Sequence, residues 1–200
     1  MPGLLLAAGL AAGVPQPAVA SAARGDAQMQ GSHVVSWGSV TVSAGLDLAF
    51  EVLTDYGNMA SFLPGMLASR MVSRDGNSVI VEQSADEGVF LFRHRVDVRL
   101  AIVENPPHRL SVRALAGSFK EMDGSYLLTR KDDHTLIEYR GRFLPAFDLP
   151  PLIGTYAVQR SLERHLGALA EEIERRSRRA AAPGSGHNRR ETDREEQRIP

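Results

Sequence analysis

The run from Val89 to Val103 constrains this chain most. Phe90, Phe92, His94, Val96, Val98, Leu100 and Ile102 alternate there with Arg93, Arg95, Asp97 and Arg99. Successive side chains of a strand point to opposite faces, so a period of two with apolar and charged sets gives a strand with an inside and an outside. The charged set meets water, and the phenylalanine-containing set faces a core or a cavity.

The surrounding punctuation extends this strand into a sheet. Between Leu67 and Phe143, turn signals at Asp75-Gly76-Asn77, Glu87-Gly88, Asn105-Pro106-Pro107, Asp123-Gly124 and Lys131-Asp132-Asp133 separate apolar or alternating runs. These predict about six strands in an antiparallel meander. Val34 to Val42, rich in valine with Trp37 and Thr41, predicts one strand more. Ser43 is placed to cap a helix that carries Leu46, Phe50 and Leu53 on one face. Asp55-Tyr56-Gly57-Asn58 interrupts that helix, Met59 to Phe62 makes a second short turn, and Pro64-Gly65 bends the chain.

Pro150-Pro151 opens the last element, since proline is tolerated in the first turn of a helix. Tyr156, Gln159, Leu162, Leu166, Leu169 and Ile173 then recur at spacings of three and four. They predict an apolar stripe, with Arg160, Glu163, Arg164, Glu171, Glu172 and Glu174 on the other faces. Together the elements define an α+β domain over 33–179, with about seven strands, two short helices after the first of them, and one long C-terminal helix.

The flanks differ in character. Gly3 to Val14 is an apolar run the length of a secretory h-region, and Ala18-Val19-Ala20 offers small residues before a cut at Ser21. Residues 1–20 are therefore expected to be a signal peptide, although Met1-Pro2 carries no Lys or Arg, and the expected location is periplasmic or secreted. The run is too short for a membrane span, which needs about 20 apolar residues. Residues 21–32 are small and polar and read as a linker, and 180–200, mixing Arg with Glu and Asp, as a disordered charged tail. The absence of cysteine rules out a disulfide framework, a thiolate metal site and a cysteine nucleophile. A net charge of −1 supplies no global field to attract nucleic acid, so partners have to be argued from a site.

Several local motifs make the architecture more specific: Val52-Leu53-Thr54-Asp55-Tyr56, Phe62-Leu63-Pro64-Gly65-Met66, Gly117-Ser118-Phe119-Lys120, Gly124-Ser125-Tyr126 and Leu136-Ile137-Glu138-Tyr139. With the element order, they resemble the START-like (helix-grip, Bet v 1-like) superfamily, in its coenzyme Q-binding and polyketide cyclase-dehydrase branch. Ribosome-association toxin relatives belong to that branch. The resemblance implies a curved antiparallel sheet around the long helix, with an apolar molecule such as a quinone, lipid or polyketide held between them. None of the motifs is a catalytic signature, so they speak for architecture rather than chemistry.

Candidate chemistry is sparse. The six histidines, His33, His94, His108, His134, His165 and His187, show no metal-ligand spacing, and neither a nucleophile elbow nor a phosphate loop is present. No metal and no cofactor are expected. His94 is the polar residue on the Phe90 to Ile102 face, where it would either address a ligand carbonyl or bond a neighbour as a core histidine. Arg113 is either a solvated strand residue or, facing inward, paired with an anion. With Tyr139 these are the candidate catalytic groups of a cyclase-like enzyme acting by proton transfer. The residues expected to line a cavity are Tyr56, Phe62, Met66, Phe92, His94, Phe119, Tyr139, Phe143, Phe147 and Tyr156. A filled core has the same composition.

Three functions stay open: a carrier of a hydrophobic small molecule, a cyclase or aromatase, and a protein-interaction module with a filled pocket. The leader can be tested separately. Residues 1–30 fused to a reporter should direct it out of the cytoplasm and be cleaved after Ala20, and an uncut cytoplasmic reporter would refute the expectation.

Overall fold

Eight antiparallel strands form one open sheet in the order β1-β2-β8-β7-β6-β5-β4-β3. Their spans are β1 (Arg24–Gln30), β2 (His33–Val42), β3 (Met66–Asp75), β4 (Ser78–Val89), β5 (Phe92–Asn105), β6 (Arg109–Gly117), β7 (Phe119–Lys131) and β8 (His134–Pro145). Helix α1 (Leu46–Leu53) and a 3-10 turn at Met59–Ser61 follow β2, and helix α2 (Pro151–Ala181) closes the domain. This is the α+β helix-grip architecture. The computed structural model describes residues 22–89, 92–147 and 151–182, with side chains for all of these except 87–89, 92–94 and 151–152. The leader-like residues 1–20 and the tail beyond 182 lie outside the described residues.

The two-faced strand is as expected where its side chains are described. Val96, Val98, Leu100 and Ile102 face inward, and Arg95, Asp97 and Arg99 are exposed. The hairpins at Asp75-Gly76-Asn77, Asn105-Pro106-Pro107 and Lys131-Asp132-Asp133 also form between strands. Two predicted turns do not. Glu87-Gly88 lies inside β4, whose ladder with β5 continues to Val89↔Phe92, and Asp123-Gly124 lies in the middle of β7. In each case the cross-strand ladder overrides the local turn preference of an acidic residue next to glycine.

The residues read as a linker contain an eighth strand. Arg24 to Gln30 pairs antiparallel with β2, from Arg24↔Ser39 to Gln30↔His33. Its sequence, RGDAQMQ, has no β-branched residue, but it alternates, turning Gly25, Ala27 and Met29 to the protein while Arg24, Asp26 and Gln28 stay exposed. β1 and β3 are the two edges of the sheet. Along β3 the register with β4 shifts twice, between Met66 and Ala68 and between Met71 and Ser73, which leaves Leu67 and Val72 out of the ladder.

Helix α1 is capped differently from the expectation. Gly45, in extended conformation, is its N-cap and gives no side-chain bond, while Ser43 turns its hydroxyl into the interior without a hydrogen-bond partner. The Ser43 N–H donates instead to Glu174 of α2.

The C-terminal half of α2 lies directly on the sheet. Leu162, Leu166, Leu169, Ala170 and Ile173 pack into one core with Val40, Val42 and Ile137 of the sheet and Ala49, Phe50 and Leu53 of α1. Gly38 makes the approach possible. A Cβ there would stand 2.8 Å from Leu166 Cδ1 and 2.7 Å from the Arg24 carbonyl oxygen, distances that no side chain tolerates.

Charge fixes the same end of the helix to α1. Glu172, assigned to a solvent face by the helical pattern, is buried at 7% exposure. It accepts hydrogen bonds from Arg175 Nε at 2.6 Å and Arg176 Nε at 2.7 Å, and Arg176 also donates to Asp55 at 2.6 Å. The hydrogen bond from Arg175, with that from Arg176, holds the Glu172 carboxyl down at about 2 against the opposing effect of burial. Because this folded-state pKa lies below the ordinary glutamate value of about 4.3, Glu172 stabilises the fold fully above that value. The contribution is lost as pH falls from there toward 2. Denaturant melts from pH 7 to pH 2.5 should show Glu172→Gln losing about 2 kcal/mol less stability than wild type across this window. Parallel pH profiles would contradict the assignment.

Candidate functional site

Toward its N-terminal half α2 stands off the sheet, and a chamber of about 460 Å³ opens between them. The helix offers small side chains there, Gly154, Ala157 and Ser161, beside Val158, Leu162 and His165. The sheet offers Val96, Val98, Leu100 and Ile102 of β5, Leu110 and Val112 of β6, Phe119, Met122 and Tyr126 of β7, and Tyr139 and Phe143 of β8. Met59, Leu63 and Met66 close one side. The volume is that of a small-molecule site, and the walls are mostly aliphatic and aromatic with a few polar groups.

Inside, two tyrosines are held together on adjacent strands. Tyr126 and Tyr139 are register partners whose ring centroids lie 4.9 Å apart at 49°. Tyr139 folds across Gly141, where a Cβ would come within 2.1 Å of its hydroxyl, and that hydroxyl is hydrogen-bonded to buried Ser36. Burial raises both phenols above their usual range, so each keeps its proton at neutral pH and serves as a hydrogen-bond donor rather than a base. Phe119 and Phe143 meet edge to face nearby, with centroids 5.4 Å apart.

Tyr56 marks the far end. Its hydroxyl donates to Glu104 Oε1 at 2.8 Å, and Arg74 clamps the same carboxylate with bonds of 2.8 and 2.9 Å. Glu104 is 6% exposed, and a charge so buried requires such pairing. Burial and then the bond to Glu104 raise the Tyr56 phenol strongly.

The structure thus brings Tyr56, Met66, Phe119, Tyr139, Phe143 and Phe147 of the expected lining to one chamber. Two of the expected lining residues are placed elsewhere, and Arg113 takes the solvated one of its two alternatives. Tyr156 is 51% exposed, because two successive steps of three residues, from 156 to 162, turn the side-chain direction by about 120° around a helix. Phe62 stays outside the chamber, beneath Arg176 at 6.0 Å from the ring centre, since Met59 and Leu63 take the inward positions of that turn. Arg113 is exposed on the outer face of β6, beside Asp123 of β7, and reaches no ligand in the chamber. His94 and Phe92 have their backbones in β5, opposite Glu87 and Val89, while their side chains lie outside the described residues. The small residues at 154, 157 and 161, which keep the helix from filling the space, went unremarked in the sequence.

A second hollow, of about 620 Å³, lies on the outer face between Trp37, Arg109, Asp123, Arg140 and Arg142. It is more open to solvent and lined by several charged side chains, so the chamber under α2 is the better candidate for an apolar ligand. Among the described residues no group of three or more histidines and carboxylates is placed to hold a metal ion, and no helix is long and apolar enough to cross a membrane.

The family described as polyketide cyclase / dehydrase and lipid transport matches residues 34–174, and the chain belongs to it. No curated protein sequence matches the chain. Among solved structures it is similar to the Zhui aromatase/cyclase from Streptomyces sp. R1128, at 20% identity and a TM-score of 0.64, over 75% of this chain and 99% of that one. It is also similar to a STAR-related lipid transfer protein from Xanthomonas axonopodis, at 14% identity and a TM-score of 0.62, over 76% and 94% of the two chains. A START superfamily protein from Mycobacterium smegmatis gives 13% identity and a TM-score of 0.62, over 70% and 97%. At these identities the likeness establishes the fold.

The packing of Tyr139 over Gly141 is open to test. Gly141→Ala should displace the ring and cost about 1 to 3 kcal/mol of stability, with a change in the tyrosine near-ultraviolet dichroism. A variant with wild-type melting temperature and spectrum would refute this packing.

Proposed function

We propose that this protein binds and carries a hydrophobic small molecule in the chamber between its sheet and α2. The observation that carries the reading is the pairing of an apolar wall from β5 to β8 with Gly154, Ala157 and Ser161 on the facing helix. A fold selected only for stability fills such a space, because each unfilled methyl-sized void costs stability. Family membership and the lipid-transfer and cyclase folds among its structural relatives support the same class of ligand. The expected signal peptide adds that the carriage takes place outside the cytoplasm.

The cyclase alternative draws on the same chamber but needs a group that takes a proton from the ligand. Tyr126 and Tyr139, with raised pKa values, favour donation instead. A phenol that keeps its proton can orient a bound molecule without being spent.

Nile red, a neutral apolar dye, should bind the purified protein with enhanced fluorescence and one saturable site. Ala157→Trp should fill the chamber from the helix side and weaken that binding at least tenfold while the melting temperature stays within a few degrees of wild type. Dye binding unchanged in this folded variant would place the dye elsewhere and overturn the reading.

A further inference from the structure

We infer that the chamber selects an uncharged ligand carrying a carbonyl-type oxygen, and that Tyr126 donates the hydrogen bond that orients it. This rests on the binding reading above and narrows it to a chemical class.

Among the described polar groups of the lining most are already engaged, Ser161 included, and the Tyr126 hydroxyl is not. Tyr139 is bonded to Ser36, and Tyr56 to Glu104. Gln83 directs its amide to Met59 Sδ at 3.2 Å and Ser69 Oγ at 3.3 Å, and His165 Nε2 lies 3.0 Å from the Pro64 carbonyl oxygen. Tyr126 differs, since its hydroxyl bonds to no described residue. Tyr126 is partly buried and lines the chamber, so its hydroxyl is left to donate to whatever acceptor a bound molecule brings.

Tyr126 is also held in position. Its backbone is fixed between Leu110 and Tyr139 in the ladders of β6 and β8, and its ring rests on that of Tyr139. Tyr139 is in turn fixed by Ser36 and by the glycine beneath it. A donor immobilised before the ligand arrives loses little entropy on binding, and this is how a single hydrogen bond acquires specificity.

Charge excludes the other large class of apolar ligands, those ending in a carboxylate. Among the described lining residues there is no Lys or Arg. The arginine of the Tyr56 cluster, Arg74, is already clamped to Glu104. An anion in the chamber would be desolvated with no lysine or arginine in the described lining to pair it. A ketone, quinone or ester oxygen brings an acceptor and no charge.

Three probes of one shape separate these terms: 2-acetylnaphthalene, 2-ethylnaphthalene and 2-naphthoate, titrated calorimetrically into the full chain at pH 7. The ketone should bind at least tenfold more tightly than the carboxylate. Tyr126→Phe, which keeps the ring packing, should weaken the ketone about fivefold, the worth of one typical hydrogen bond, and leave the ethyl compound unchanged. Equal weakening of ketone and ethyl compound would assign Tyr126 a packing role and overturn the inference while leaving the binding reading intact. Naphthoate binding as tightly as the ketone would overturn the charge selection. Failure of all three to bind would overturn the binding reading and the inference with it.

Discussion

The contact between α2 and β2 at Gly38 determines the layout of the molecule. With no side chain at that point, the helix settles onto the strand itself, and Leu162 and Leu166 take the room a Cβ would need. A straight helix lying on one part of a curved sheet must rise away from another part. The small residues on its first turns then leave a space that the sheet side chains do not cross. Grip at one end and clearance at the other are thus one geometric fact. The Glu172, Arg175, Arg176 and Asp55 cluster reinforces the gripped end, where α1 joins the helix.

Polar interactions are placed where they protect this division. At the far end Tyr56, Glu104 and Arg74 form a chain of hydrogen bonds that brings a carboxylate almost wholly out of water. Removing any one member would strand the others, so the cluster ties β3, β5 and the segment after α1 into a single arrangement. In the chamber the aromatic pair on β7 and β8 gives the wall its firmness. Gly124 and Gly141 beneath it admit a ring lying nearly flat on the backbone.

Much of the fold was legible because it is written in periodicity. The alternation from Val96 to Ile102 and the leucines from Leu162 to Leu169 carried the sheet and the helix, and they survive as the facing surfaces of the domain. β1 was not legible, since RGDAQMQ has neither β-branched residues nor apolar weight and forms a strand only because β2 and α2 lie beside it. The phase of α2 was misread at Tyr156 because a stripe drawn through steps of three drifts around the helix. The aromatic lining was read in large part, at Tyr56, Phe119, Tyr139, Phe143 and Phe147. The chamber itself was not, since it consists of atoms that are missing and periodicity records only those present. Nor could the Tyr56 to Glu104 bond be foreseen between residues 48 positions apart.

An interior left partly unfilled lowers the margin between the folded domain and its opened forms, and an open sheet has two edges along which opened or neighbouring molecules can add strands. The register shifts at Leu67 and Val72 bear on this hazard. Each interrupts the row of backbone groups on β3 before it becomes long and even enough to template another chain. On the opposite side, β1 spans seven residues and is hydrophilic outward. The irregular β3 edge therefore offers a poorer template for an added strand than an even ladder would, which offsets part of the hazard that a hollow centre creates.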